Sequence, residues 1–114
     1  MTTIYHNPRC STSRAALERL QQQGLQPEII EYLKQPYTRD QLSELIRRAG
    51  LTARDVIRQK EALYKELGLD RPECTDQELL DAMVEHPVLV NRPIVVTSKG
   101  VRLCRPLSVL EEIL

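Results

Sequence analysis

Thr2-Thr3-Ile4-Tyr5-His6-Asn7-Pro8-Arg9-Cys10-Ser11-Thr12-Ser13-Arg14 opens the chain and, read together with Glu28-Ile29-Ile30-Glu31-Tyr32, decides the fold. Thr2 to His6 is a short run of β-formers stopped by Asn7-Pro8, where proline removes a donor and fixes φ, so it reads as a strand. From Ser11 to Gln23 the apolar residues Ala16, Leu17 and Leu20 recur at the spacing of a one-sided helix, and Gly24 stands where a C′ glycine ends one. Glu28 to Tyr32 is a second β-like run, finished near Pro36. Strand, helix and strand within about 32 residues predict a parallel βαβ unit.

Downstream the pattern turns helical. Thr38-Arg39-Asp40-Gln41 is a capping-box sequence leading into Leu42, Leu45 and Ile46 and closing at Gly50. Leu51 to Arg58 and Glu61 to Leu67 read as shorter helical pieces, the latter closed by Gly68. Thr75-Asp76-Gln77-Glu78 is a second capping box, opening a helix through Leu79, Leu80 and Met83 towards Glu85 that His86-Pro87 ends. Strands then return: Ile94-Val95-Val96, a tight turn over Thr97-Ser98-Lys99-Gly100, and Val101-Arg102-Leu103 form an antiparallel hairpin. Ser108-Val109-Leu110-Glu111 caps a last short helix. The expected architecture is α/β, a thioredoxin-like mixed sheet of the glutaredoxin type. It forms a single domain over residues 1–114 with an inserted helical lobe at about 38–86. At 114 residues and 41% hydrophobic content, the chain can bury one core of ordinary size.

Composition removes several functional classes. Sixteen Lys and Arg balance sixteen Asp and Glu, so no general polyanion-binding surface is expected and nucleic acid is not a predicted partner. All four aromatics are tyrosines, scattered along the chain, which leaves no stacking platform for single strands. No apolar run approaches the roughly 20 residues that span a bilayer. The start of the chain lacks the basic, apolar and small-residue regions of a secretory signal. Three cysteines, Cys10, Cys74 and Cys104, are an odd and sparse set for a disulfide-stapled domain. A cytoplasmic protein with no membrane partner is the expectation. His6 and His86 make no zinc-site spacing with the cysteines, so no metal is predicted.

The chemistry concentrates at Cys10, between a strand end and a helix start. There the unpaired N–H groups of the first turn and the positive end of the helix dipole favour thiolate over thiol. The same N–H groups can hold an oxyanion against the sulfur. Arg9 and Arg14 add positive charge, and the hydroxyls of Ser11, Thr12 and Ser13 can donate to an anion or cap the helix. His6 and Asn7 stand where they can orient the loop. The plainer alternative is a small buried cysteine behind ordinary capping hydroxyls, and the local sequence fits both. Ser13 occupies the position where a dithiol motif carries its second cysteine, so any disulfide of Cys10 needs another partner, and an external thiol such as glutathione suits it. Cys104, in a strand-like run, reads as packing, and Cys74 as a loop residue.

Oxyanion chemistry calls for guanidinium forks, which bind tetrahedral anions bidentately. Arg92 before Pro93, Arg105 before Pro106, and Arg58 at the end of a helical stretch stand out by context. Two blocks then carry a resemblance that covers essentially the whole chain: Ile4 to Arg14, and Asn91-Arg92-Pro93-Ile94-Val95-Val96 continuing through Leu103-Cys104-Arg105-Pro106. The sequence resembles the glutaredoxin-dependent arsenate reductase family. That resemblance implies a thioredoxin-like fold in which Cys10 attacks arsenate while Arg58, Arg92 and Arg105 hold the oxyanion. It further implies glutathione as co-substrate, glutaredoxin as reductant of the mixed disulfide, and no bound cofactor. Two other readings stay open at this level: a general glutathione-linked thiol oxidoreductase, and a non-enzymatic polymerase-binding regulator. Ser13 argues against the regulator, whose switch is usually Cys-x-x-Cys.

Overall fold

The N-terminal run of β-formers is strand β1, Thr3–His6, whose second and fourth residues, Ile4 and His6, are buried. The computed structural model describes residues 1–114, which form two compact units. One comprises Met1–Gln35 and Arg92–Leu114, the other Pro36–Asn91.

The first unit contains β1, helix α1 (Ser11–Gln22), β2 (Glu28–Glu31), β3 (Ile94–Thr97), β4 (Gly100–Leu103) and a terminal 3-10 helix, Leu107–Ile113. Its four-stranded sheet runs β2-β1-β3-β4. β1 pairs in parallel with β2, Ile4 opposite Ile29, and antiparallel with β3, Ile4 opposite Val95. Thr97 pairs with Gly100, which leaves Ser98-Lys99 as the hairpin loop. This mixed order, with a parallel βαβ start and a hairpin finish, is a thioredoxin-like α/β fold.

α1 buries Ser13, Ala16 and Leu20, and its apolar stripe packs with Ile4, Val95, Cys104, Leu110 and Ile113. Its end is a Schellman motif: Gly24 at φ 83 donates to Gln21, and Leu25 donates to Leu20 at 3.1 Å. Leu25 then packs against the same core as Leu20. Those two bonds satisfy carbonyls that the helix itself leaves open.

The second unit holds α2 (Arg39–Arg48), α3 (Ala53–Val56), α4 (Ala62–Glu66), α5 (Asp76–Glu85) and a 3-10 turn, Pro87–Leu89. α2 and α3 both pack on α5. Leu42, Leu45 and Ile46 from α2 and Leu79, Leu80 and Met83 from α5 are buried. Both expected capping boxes form, Thr38 with Gln41 and Thr75 with Glu78, and a third, Thr52 with Asp55, starts α3. No helix is long and apolar enough to cross a membrane.

Several boundaries differ from the sequence reading. Thr2 and Tyr32 fall outside the strands expected to contain them, and α1 stops at Gln22. Leu51 to Arg58 is not one helix. Only Ala53–Val56 is helical, because Ile57 leaves in extended geometry to bridge Val90 and the Arg58 N–H donates to Leu89 at 2.6 Å. The expected helix Glu61 to Leu67 is shortened to Ala62–Glu66. The helical unit reaches Asn91 rather than residue 86, because Asn91 donates back to Val56. The last helix is 3-10, starts at Leu107, and has Pro106 rather than Ser108 at its N-cap with no side-chain cap bond.

Candidate active site

The loop from His6 to Cys10 is shaped by one residue more than any other. Asn7 accepts the Arg9 N–H on its side-chain oxygen at 3.0 Å, accepts the Cys10 N–H on its carbonyl at 3.0 Å, and donates its own N–H to Ser13 Oγ at 3.0 Å. The first two bonds make an Asx-type turn that leads Pro8 and Arg9 out to solvent and brings Cys10 back to the helix axis. Arg14 Nη1 donates to the Pro8 carbonyl at 2.9 Å. Cys10 is the N-cap of α1 with extended φ and ψ of -93° and 122°, and no side chain caps the helix. The N–H groups of the first turn are therefore left for the sulfur.

Burial pushes the Cys10 thiol up. The backbone N–H of Ser13, the Arg92 and Arg105 side chains and the Thr12 N–H outweigh it, and the thiol is held at about 7, below the ordinary value. The thiolate is thus far more populated at neutral pH than in an ordinary cysteine. Arg105 Nη1 lies 3.7 Å from Cys10 Sγ and also donates to the Arg92 carbonyl at 3.1 Å, a bond that fixes the guanidinium beside the sulfur. Arg92 Nε is buried with no hydrogen-bond partner. A buried donor left open is the kind of group that a ligand completes. Pro93 is buried, its carbonyl accepts the Cys104 N–H at 2.9 Å, and the Arg92–Pro93 and Arg105–Pro106 peptide bonds are both cis. A stabilised thiolate with two guanidiniums beside it can bring a tetrahedral oxyanion to a nucleophilic sulfur.

A family model described as the ArsC family matches residues 5–113. The chain belongs to the ArsC family. Among its relatives, the arsenate reductase of Rhizobium meliloti (strain 1021) is 53% identical over 112 residues, covering 98% of this chain and 80% of that protein. The arsenate reductase of Escherichia coli K12 is 52% identical over 112 residues, covering 98% and 79%. The solved arsenate reductase from Vibrio cholerae superposes with a TM-score of 0.94 at 44% identity, covering 99% of this chain and 97% of that one.

Within this ArsC chain the structure gathers Cys10, Arg92 and Arg105 in the sheet unit. Arg58 belongs to the helical unit, where its Nε faces Glu61 Oε2 at 3.6 Å. It does not end a helix, contrary to the sequence reading. Ser11 is exposed and Thr12 half-buried at the start of α1. The Ser13 hydroxyl turns inward and makes no cap bond to the helix. Ser13 is fully buried, hydrogen-bonded to His6 Nδ1 at 2.6 Å while accepting the Asn7 N–H, and it serves Cys10 only through its backbone N–H. His6 is buried, and burial lowers its pKa, a shift Glu31 opposes and Arg14 reinforces.

Cys104 is fully buried in the sheet core, where burial pushes its thiol up to about 12. Cys74 lies in a loop but is buried, its sulfur within hydrogen-bonding distance of the Gly68 carbonyl at 3.5 Å. No group of three His, Cys, Asp or Glu side chains gathers in a geometry that holds a metal.

Sequence reasoning passed over Arg54. Its guanidinium donates to Tyr64 OH and the Leu69 carbonyl, both at 2.9 Å, and to the carbonyls of Arg71 and Cys74 at 3.2 and 3.3 Å. It thereby ties the loop after α4 back onto α3. Nothing local to Arg54 announces this, since its acceptors lie up to 20 residues away. The role of Asn7 did have a signal: an asparagine at a strand end before proline favours an Asx turn.

Proposed function

We propose that the protein reduces arsenate to arsenite through a covalent adduct on Cys10, in the reducing cytoplasm, with glutathione and glutaredoxin as thiol reactants and no bound cofactor. The observation that carries this reading is the pairing of a thiolate held at about 7 with the Arg92 and Arg105 guanidiniums at the sulfur. Relatives of about half identity that are named arsenate reductases support the choice of oxyanion. Arsenate is held by the guanidiniums and the open first-turn N–H groups, which offset its charge as a second anion, the thiolate, approaches. The Cys10 thiolate attacks arsenic, a sulfur–arsenic bond forms, and one oxygen leaves as hydroxide that is protonated to water.

Glutathione thiolate then attacks Cys10 Sγ. The sulfur–arsenic bonding pair passes to arsenic, which falls from As(V) to As(III) and leaves as arsenite. Cys10 and glutathione remain joined by a disulfide. A glutaredoxin thiolate attacks the glutathione sulfur and releases the Cys10 thiolate. In sum, two thiols become one disulfide and arsenate becomes arsenite and water. An external thiol fits this reading because Ser13 stands where an internal resolving cysteine would be and Cys74 and Cys104 are both buried.

The decisive assay is arsenite production with glutathione and glutaredoxin. It is expected to need both thiols and to vanish in Cys10→Ser, and wild-type turnover no better than that variant would reject the reading. Arg58, a third oxyanion ligand by resemblance alone, is read out in the same assay with Arg58→Ala.

A further inference from the structure

The strand order places β1, which leads into the Cys10 loop, between β2 on one side and β3 on the other. Arg92 precedes β3 and Arg105 follows β4, so both cations reach Cys10 from the β3 side. On the β2 side the loop borders a separate hollow of about 290 Å³. His6, Pro8 and Arg9 form one wall and Glu31, Leu33 and Lys34 the other. His6 and Glu31 are the last residues of β1 and β2, so the hollow lies just outside the carboxyl ends of these two parallel strands, beside the Cys10 loop.

We infer that this hollow is a glutathione subsite, the flank from which the resolving thiol reaches Cys10. The inference rests on the reading above in taking glutathione as the thiol. Glutathione carries two carboxylates and one ammonium. The hollow offers two exposed cations, Arg9 and Lys34, and one carboxylate, Glu31, whose Oε1 lies 3.5 Å from Lys34 Nζ. Charge number and sign are thus complementary to the tripeptide. Between the charges, Pro8 and Leu33 supply apolar surface, and Leu33 is one of the few large hydrophobic residues left exposed, at 45%. At about 290 Å³ the hollow lies just under the usual range for small-ligand sites, about 300–1,000 Å³, so it suits a ligand no larger than a tripeptide. Because the oxyanion donors and the hollow flank the loop from opposite sides, bound anion leaves the thiol's approach open.

The test uses S-methylglutathione, which keeps every charge but cannot exchange, titrated calorimetrically into the full chain. Saturable binding is expected, weakened about tenfold by Lys34→Glu and similarly by Leu33→Asp. The surface reversal Lys99→Glu, in the β3–β4 hairpin at the opposite end of the sheet, is expected to leave it unchanged. Protection of Cys10 from alkylation by arsenate should persist in Lys34→Glu. Equal affinity for wild type and Lys34→Glu, or no saturable binding to wild type, overturns the subsite. Failure of the reductase reading looks different: S-methylglutathione binds and responds to Lys34→Glu while arsenate is not turned over. Conversely, arsenate turnover with an unchanged glutathione KM in Lys34→Glu removes the subsite and leaves the reductase standing.

Discussion

Replacing Arg105 with alanine removes a guanidinium whose Nη1 lies 3.7 Å from Cys10 Sγ, while the Ser13 and Thr12 N–H donors remain. Arg105 is exposed, so its field reaches the sulfur through a largely aqueous dielectric. With an effective constant between about 40 and 80, two unit charges at that separation interact by about 1 to 2 kcal/mol. Divided by about 1.4 kcal/mol per pH unit, this raises the Cys10 pKa by about one unit.

The assay is the rate of iodoacetamide alkylation against pH, whose midpoint reports the thiol directly. Wild type is expected to turn at about 7 and Arg105→Ala near 8. Thiolate at neutral pH then falls from about half to about a tenth. The midpoint is the quantity to compare, because a more basic thiolate is also intrinsically more nucleophilic and partly masks the loss at any single pH. Arg92→Ala should move the midpoint in the same direction. Arg19→Ala, whose guanidinium is engaged with Glu111 on the surface, should not move it. An Arg105→Ala midpoint within about 0.3 of wild type would refute the electrostatic assignment to Arg105 and leave Arg92 and the helix N–H groups as the stabilisers of the thiolate.

Ser13→Ala strands the buried Asn7 N–H and His6 ring nitrogen, and urea unfolding should register a loss of about 1–3 kcal/mol. His6 is held below its ordinary pKa chiefly by burial, so its contribution to stability is full above about pH 6.5 and is lost as pH falls through the lower folded value. Thermal midpoints should accordingly drop more between about pH 7.5 and 5 for wild type than for His6→Gln. Thr75→Ala breaks the capping box of α5 and should cost about 1 kcal/mol in the same unfolding assay. At neutral pH a thiol reagent should label Cys10 in the folded chain and spare Cys104 until denaturant is added, as peptide mapping would show.

The parts of this protein written in local sequence were legible. A run of β-formers stopped at Asn7-Pro8 gave β1, the Ala16, Leu20 stripe gave α1, and the Thr-x-x-Gln and Thr-x-x-Glu boxes gave α2 and α5, because in each case the residues that decide the element are its own or its immediate neighbours. The stretch from Leu51 to Arg58 was not. Its apolar spacing suits a helix, but Ile57 is claimed by Val90, a partner far along the chain, and tertiary pairing overrides propensity there. At the candidate site, Cys10 declared itself by position, and Arg92 and Arg105 by standing before prolines at the edges of two strands. What no pattern disclosed was direction. That the Ser13 hydroxyl turns inward to His6 and Asn7 while its N–H turns to the sulfur is a property of the folded loop.

The inward hydroxyl of Ser13 bears on how this chain can evolve. Its oxygen accepts one hydrogen bond at 3.0 Å and shares another at 2.6 Å, inside a space with no exposure at all. A cysteine there would be one atom's change on paper, yet sulfur is larger, accepts weakly, and would leave the Asn7 N–H poorly paired. The route from a one-thiol to a two-thiol protein at this position therefore passes through a damaged loop. The packing beneath the loop thus resists a second cysteine at position 13, and a lineage that gained one would have to rebuild the pairing of His6 and Asn7 as well.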